Sequence, residues 1–257
     1  MKTQKLYNFI LFIVVLGFVG IVLYRMLTPY SAAHIDDIWV INLDRDAERW
    51  NHMRDSTLRF GNIVHRFSAM DGKTITERES INKEGVGFYF TRISGKSIDE
   101  YINKGVVGCW LSHKRLLTHL SKQDHQNDYG HLVLEDDVAI PDDFLSGTDA
   151  WSRISKHIPG DWDIVYLGMG EDATGAPIED NIVKLSSDGK GKSGTYAYLV
   201  KHGSIKTKIL PKLRFMTDAI DEQYVTMFDD VNAYCIRPSI IYCHEAVGAK
   251  SSILAIH

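Results

Sequence analysis

The apolar run His131-Leu132-Val133-Leu134 ends flush against three consecutive acids, Glu135-Asp136-Asp137. Nothing else in the chain restricts its folding as much. Large and β-branched residues in unbroken succession read as a strand inside a sheet, so the acids must lie where that strand leaves the sheet. In open α/β folds ligands bind at this carboxyl edge. Adjacent carboxylates repel one another and lower stability unless a cation or hydrogen-bond donors offset the repulsion. Alternation along an extended chain sends Glu135 and Asp137 to one face and Asp136 to the other. Two carboxylates on one face suit a hard divalent cation that leaves room for phosphate oxygens. Taken alone, the same pattern also fits a solvated acidic turn closing a surface strand.

Other segments repeat the alternation of strand and helix. Ile38-Trp39-Val40-Ile41 reads as a buried first strand, followed by a polar helix capped at Asp44 or Asp46, with Trp50, Met53 and Leu58 toward one face. Residues 65–69 form a weak second strand closing in the turn Asp71-Gly72. The polar, glycine-punctuated stretch 74–105 reads as loops forming a mobile cover. Helical spacing runs from Val106 to Leu120, and further strands are expected at 164–167 and 195–200. Helices follow at 205–213 and 218–227, then strand-like material over 233–242, interrupted at Pro238. This order predicts one α/β domain with a mainly parallel sheet covered by helices. At 257 residues and 44% hydrophobic content the chain can fill such a core. Trp110, Trp151 and Trp162 are read as part of that core rather than as a sugar platform.

The formal charge of −4 gives no sign of a nucleic-acid partner, and no basic stripe stands out. Cys109, Cys235 and Cys243 are too few and too scattered for a disulfide framework or a zinc motif, although Cys235 and Cys243 can pair in an oxidising compartment. From Leu6 to Tyr24 the chain carries no charged residue. As a helix that segment reaches about 28 Å, enough for a bilayer core. Lys2 and Lys5 precede it, which places residues 1–5 in the cytoplasm and 6–24 as an uncleaved signal-anchor. Residues 25–36 are then a short stem, and 37–257 form the catalytic domain of a single-pass type II membrane protein, on the lumenal or extracytoplasmic side. A signal peptide cleaved near Ser31-Ala32-Ala33 is the competing reading.

Several pieces resemble glycosyltransferase family 25, the group of lipooligosaccharide and procollagen galactosyltransferases. They are Val40-Ile41-Asn42-Leu43-Asp44-Arg45 with Arg49, Ala69-Met70-Asp71-Gly72, the stretch 105–113 ending in Ser112-His113, and residues 132–138 with Phe144 behind them. Gly194-Thr195-Tyr196-Ala197-Tyr198, Ala219-Ile220-Asp221 and Ser251-Ser252-Ile253 continue the likeness in the same order. Ala219 stands where the family often carries proline.

The resemblance implies a GT-A type fold, a UDP-sugar donor, a divalent cation (Mn2+ or Mg2+) and inversion at the anomeric carbon. Asp137 is then the metal ligand, Glu135 lies in the metal or ribose shell, and Asp136 gives support or meets the donor sugar. His244 is a candidate to complete the metal shell. Asn42, Arg45 and Asp71 are candidates for the nucleotide pocket, at the ends of the first two strands. Ser112 and His113, taken to follow a helix start, are candidates to approach phosphate. An inverting displacement needs a base, and Asp221 is the candidate, with Asp218 and Glu222 on the same helical face. The implied reaction moves a hexose, galactose first, to a hydroxyl of a glycan, glycoprotein or lipopolysaccharide-type acceptor. UDP-glucose as donor, a metal-dependent phosphoryl enzyme and an inactive membrane-tethered binding or adhesion relative are the competing readings.

Overall fold

The computed structural model describes residues 33–75, 84–86, 104–170, 175–188 and 194–243. The expected anchor at 6–24, most of the expected cover and His244 lie outside the described residues. Among the described residues no helix is long and apolar enough to cross a membrane.

Among the described residues eight strands build one sheet: β1 (Asp37–Asn42), β2 (Val64–Ser68), β3 (Gly130–Glu135), β5 (Ile164–Gly168), β6 (Gly175–Glu179), β7 (Ile182–Leu185), β8 (Ala197–Lys201) and β9 (Ala233–Ile236). Their spatial order is β2-β1-β3-β8-β5-β9-β7-β6. A second, two-stranded sheet pairs β4 (Val138–Ala139) with β10 (Tyr242–Cys243). β1 lies parallel to both β2 and β3, and β5 lies parallel to β9. β8 and β7 run against their neighbours. Six of the eight strands therefore share one direction, and the sheet is mixed rather than uniformly parallel. The reversal of β8 has a positional effect. Its entering residues, Gly194 and Thr195, meet the departing end of β3, where the acids stand.

The central strands are buried on both faces by alternation. Trp39, Ile41, Val133, Tyr198 and Val200 face one apolar layer, which includes Trp110, Leu111, Leu116 and Leu117. Ile38, Val40, Leu132, Leu134 and Leu199 face the other, with Met53, Trp151 and Trp162. A two-residue period with both sets apolar is the signature of a covered sheet.

The first helix, α1 (Ala47–Thr57), buries Met53, but Leu58 is 74% exposed. Leu58 opens the 3-10 stretch Leu58–Ile63, which turns it away from the helix face expected from spacing. Helix α2 (Lys104–Leu120) starts earlier than its apolar pattern suggests. Gly108 lies inside it, where an added Cβ would meet Met70 O at 2.6 Å and Gly72 N at 2.8 Å. At Gly72 an added Cβ would meet Lys104 O at 1.8 Å. Helix and loop 69–73 are in backbone contact, and only glycine permits it. A short helix, α3 (Ala150–Ile154), is capped by Asp149, which accepts from Ser152 N at 3.2 Å.

The run predicted at 205–213 starts sooner: α4 comprises His202–Ser204, a π-type turn at Ile205–Ile209, and Leu210–Lys212. Helix α5 spans only Ile220–Val225. Ala219 precedes it at φ −51°, ψ 152°, a φ within the range a proline ring would impose, so alanine keeps the path. Gln223 anchors α5. Its buried amide accepts from Trp110 Nε1 at 2.8 Å and Thr217 N at 3.0 Å, and donates to Lys212 O and Phe215 O.

In an exposed helix Gly→Ala stabilises by about 1 kcal/mol, but at Gly108 the backbone contact reverses the sign. Gly108→Ala is expected to destabilise by about 2 kcal/mol in denaturant unfolding, the range of overpacking. A stabilised variant would show that α2 and loop 69–73 are not in contact.

Candidate functional site

Two clefts meet at the acidic end of β3. The first, about 740 Å³ with its open mouth included, lies between the end of β1, loop 69–73 and α2, and is lined by Arg45, Asp71, Lys73 and all three acids. The second, about 680 Å³, lies toward Gly194-Thr195-Tyr196 and Asp221. Cys109, Glu135 and Asp137 line both. They form the wall between the clefts.

The three carboxylates differ in how their charge is met. Asp136 has both oxygens engaged: Asn42 Nδ2 donates at 2.6 Å to one, Arg49 Nη1 at 2.9 Å to the other. Burial still raises its pKa, against the pull of Asn42 and Arg49. Asn42 is itself buried and oriented by Arg66, whose Nε and Nη2 donate to Asn42 Oδ1 at 2.9 and 2.6 Å. Asn42 therefore lies beneath the first cleft and fixes Asp136. Burial also pushes Glu135 upward, but His113, Thr195 and Arg49 outweigh it and leave its pKa below the usual carboxylate range. Thr195 Oγ1 donates to Glu135 at 3.0 Å. Asp137 lacks comparable help. Burial, then Glu135 and Asp136, push its pKa up to about 7, and Arg49 at 3.8 Å offsets this only in part.

On the opposite wall Arg45 pairs with Asp71, and Asp71 also accepts from Lys73 N at 2.9 Å. The Arg45 hydrogen bond holds the Asp71 carboxyl below its usual range and raises the guanidinium.

Ser112 and His113 do not follow a helix start; they lie in the third turn of α2, both buried. Ser112 Oγ donates to Gly108 O at 2.6 Å and accepts from Met70 N at 2.8 Å, which ties loop 69–73 to the helix. His113 Nδ1 stands 3.0 Å from the Tyr198 hydroxyl, and Nε2 faces Glu135 Oε1 at 3.4 Å. Phosphate approach to a helix N-terminus thus has no counterpart at Ser112-His113, because the helix begins eight residues earlier.

Asp221 lines the second cleft, with Oδ2 accepting from Gly194 N at 3.3 Å and Oδ1 from Glu222 N at 3.0 Å. Asp218 does not share its helical face. It is exposed, precedes α5, and accepts from Ala219 N at 2.8 Å. Glu222 is exposed on α5, its pKa raised by partial burial, Asp221 and Asp218. All three cysteines are free, with Cys235 buried in β9 and Cys243 exposed in β10.

Comparison with known proteins decides the family. The model of glycosyltransferase family 25 (LPS biosynthesis protein) matches residues 35–207, more than half of the chain. The chain belongs to glycosyltransferase family 25. A glycosyltransferase 25 family member of Aedes aegypti is 30% identical over 144 residues, which cover 54% of this chain and 22% of the relative. A namesake in Anopheles gambiae is 27% identical over 140 residues, covering 54% and 23% respectively. The chain thus spans about a fifth of the length of these relatives.

The family 25 match takes in the acidic triplet, Arg45 and Asp71, while Asp221 lies after it. Sequence reasoning did not place Arg49, Lys73, Cys109 or Thr195 in the site, although all four stand there. Arg49 had only a partial signal: it stands in the first helical turn after the first strand, but its aim at Asp136 depends on the pairing of β1 with β3. Thr195 had none without the strand order.

The raised Asp137 pKa has a sign that can be checked. A carboxyl raised in the folded state stabilises fully below its unfolded pKa of about 3.9, and that stability is lost as pH rises toward 7. Asp137→Asn is therefore expected to be more stable than wild type at pH 8 without divalent cations, by on the order of 2 to 4 kcal/mol, with no advantage near pH 4. Thermal melts across that range test it; parallel curves for the two proteins would contradict it.

Proposed function

We propose that this family 25 chain is a metal-dependent, inverting hexosyltransferase that moves galactose from UDP-galactose to a hydroxyl of a glycan or protein-linked acceptor. One observation carries the reading: Asp137 stands in the wall common to two clefts with its charge only partly compensated. The donor belongs in the first cleft, where Arg45 and Lys73 face the acids. The acceptor belongs in the second, beside Asp221.

The residues present fit a hard divalent cation such as manganese or magnesium. Oxygen donors stand at a strand end beside an open cleft, and one carboxylate gains by exchanging its proton for a cation. Asp137 and Glu135 would hold it, with His244 as a further candidate outside the described residues. Bound there, the cation supplies stabilisation for the negative charge that develops on the departing diphosphate. Arg45 and Lys73 attract and orient the phosphates from the other wall. Asp136, locked by Asn42 and Arg49, holds the chain turn that presents Asp137. Asp221 takes the proton of the acceptor hydroxyl as its oxygen bonds to the anomeric carbon and the bond to the diphosphate oxygen breaks. The amides of Gly194 and Glu222 fix the carboxylate for that transfer.

The full chain in detergent, assayed with a panel of UDP-sugars, is expected to release UDP fastest from UDP-galactose, and only with manganese or magnesium added. Asp137→Ala abolishes this release. Asp221→Asn lowers kcat for transfer by about 10²- to 10⁴-fold with little change in donor KM, the scale of a lost general base. Undiminished activity in excess chelator would remove the metal from the mechanism, and a preference for UDP-glucose would reassign the donor.

Tethering through residues 6–24 rests on the uncharged stretch and the lysines before it. In sealed vesicles the part after the anchor is expected to resist protease added on the cytoplasmic side. Digestion from that side would reverse the orientation.

A further inference from the structure

Cys109 and His113 stand one turn apart on α2, so both side chains project over the end of β3, where Glu135 leaves the sheet. Their ligand atoms and a Glu135 oxygen all lie within 4.8 Å of one another. His113 is fully buried. Its Nδ1 is engaged by the Tyr198 hydroxyl at 3.0 Å, but Nε2 has no hydrogen-bond partner and faces Glu135 Oε1 at 3.4 Å. Glu135 meets that nitrogen as a charge but not at hydrogen-bond length, and a buried ring nitrogen left so is destabilising. A direct charge-assisted hydrogen bond would close to about 2.7–2.9 Å. The observed gap instead matches two ligands of one tetrahedral ion, since metal bonds of about 2.0–2.1 Å leave about 3.3–3.4 Å between neighbouring ligand atoms.

We propose that Cys109 Sγ, His113 Nε2 and the Glu135 carboxylate form a site for a thiophilic divalent cation, zinc by the chemistry of its ligands. The fourth position opens to the clefts. A thiolate, an imidazole and one carboxylate suit zinc, whereas an all-oxygen set suits manganese or magnesium. Binding releases the thiol proton to solvent. Tyr198 fixes the His113 ring through Nδ1 and is itself hydrogen-bonded by the Tyr224 hydroxyl at 3.3 Å, while Thr195 holds Glu135. Such outer partners orient metal ligands. The site shares only Glu135 with the hard-cation set proposed above and does not depend on it. The cysteine pattern conceals it because the third ligand comes from a strand, not from the helix.

The test is a cobalt titration of the reduced full chain in detergent, free of other divalent ions and of donor sugar. Wild type is expected to show a thiolate-to-cobalt charge-transfer band in the near ultraviolet with the visible bands of a tetrahedral ion, both erased by stoichiometric zinc. Cys109→Ser loses the charge-transfer band, whereas Cys243→Ser keeps it. Tyr198→Phe, which frees the His113 ring, weakens cobalt binding by about 10- to 100-fold, and His113→Gln weakens it further. Should a variant misfold by its far-ultraviolet spectrum, zinc protection of wild-type Cys109 against alkylation, read by peptide mass, decides instead. No charge-transfer band in wild type, a band that survives Cys109→Ser, or protection at Cys243 alone would overturn the assignment. None of these readouts needs turnover, and Asp137→Ala retains the cobalt band, so failure of the transferase reading would be seen separately.

Discussion

Crowding of negative charge at the end of β3 is the constraint around which this domain is arranged. Each neighbouring element contributes one answer to it. The parallel pairing with β1 brings Asn42 and, from the following helix, Arg49 to Asp136. The antiparallel pairing with β8 brings Thr195 to Glu135 from the other side. The helix above supplies His113. Asp137 receives a distant share of Arg49 and a backbone amide, which offset its burial and its acidic neighbours only in part. Uneven compensation, rather than the mere presence of three acids, distinguishes a site from a solvated turn.

The strand skeleton was legible because its cores are uninterrupted apolar runs buried on both faces, as at Ile38–Ile41 and Leu132–Leu134. The hairpin of β6 and β7 was not. Its first strand, Gly-Ala-Pro-Ile-Glu, is exposed over Gly175, Ala176 and Pro177, so it carries neither alternation nor an apolar run. The start of α2 was missed for a related reason. Lys104 and Gly105 carry no apolar signal, and Gly108 serves a backbone approach that no periodicity reports. Within the site, acids at a strand end could be read directly, but their partners could not. Arg49, Thr195 and Cys109 reach the triplet through strand order and helix placement, which are properties of the folded chain.

Asp221 illustrates how a short element can be held firmly. Six residues of helix offer little intrinsic stability. Gln223 compensates by meeting Trp110 on α2 and the backbone at Lys212, Phe215 and Thr217, all from a buried position. A fully satisfied polar group of this kind fixes orientation more sharply than apolar contact does. The Asp221 carboxylate, two residues before Gln223, is thereby set against Gly194 without relying on helix length.

The partition formed by Cys109, Glu135 and Asp137 has a thermodynamic consequence. Any occupant of one chamber that alters the charge or protonation of this partition changes the affinity of the other chamber for its own guest. Linkage makes that influence equal in both directions. Two guests separated by a single layer of side chains therefore cannot bind as strangers: whichever arrives first sets the terms for the second, and by the same factor the second secures the first.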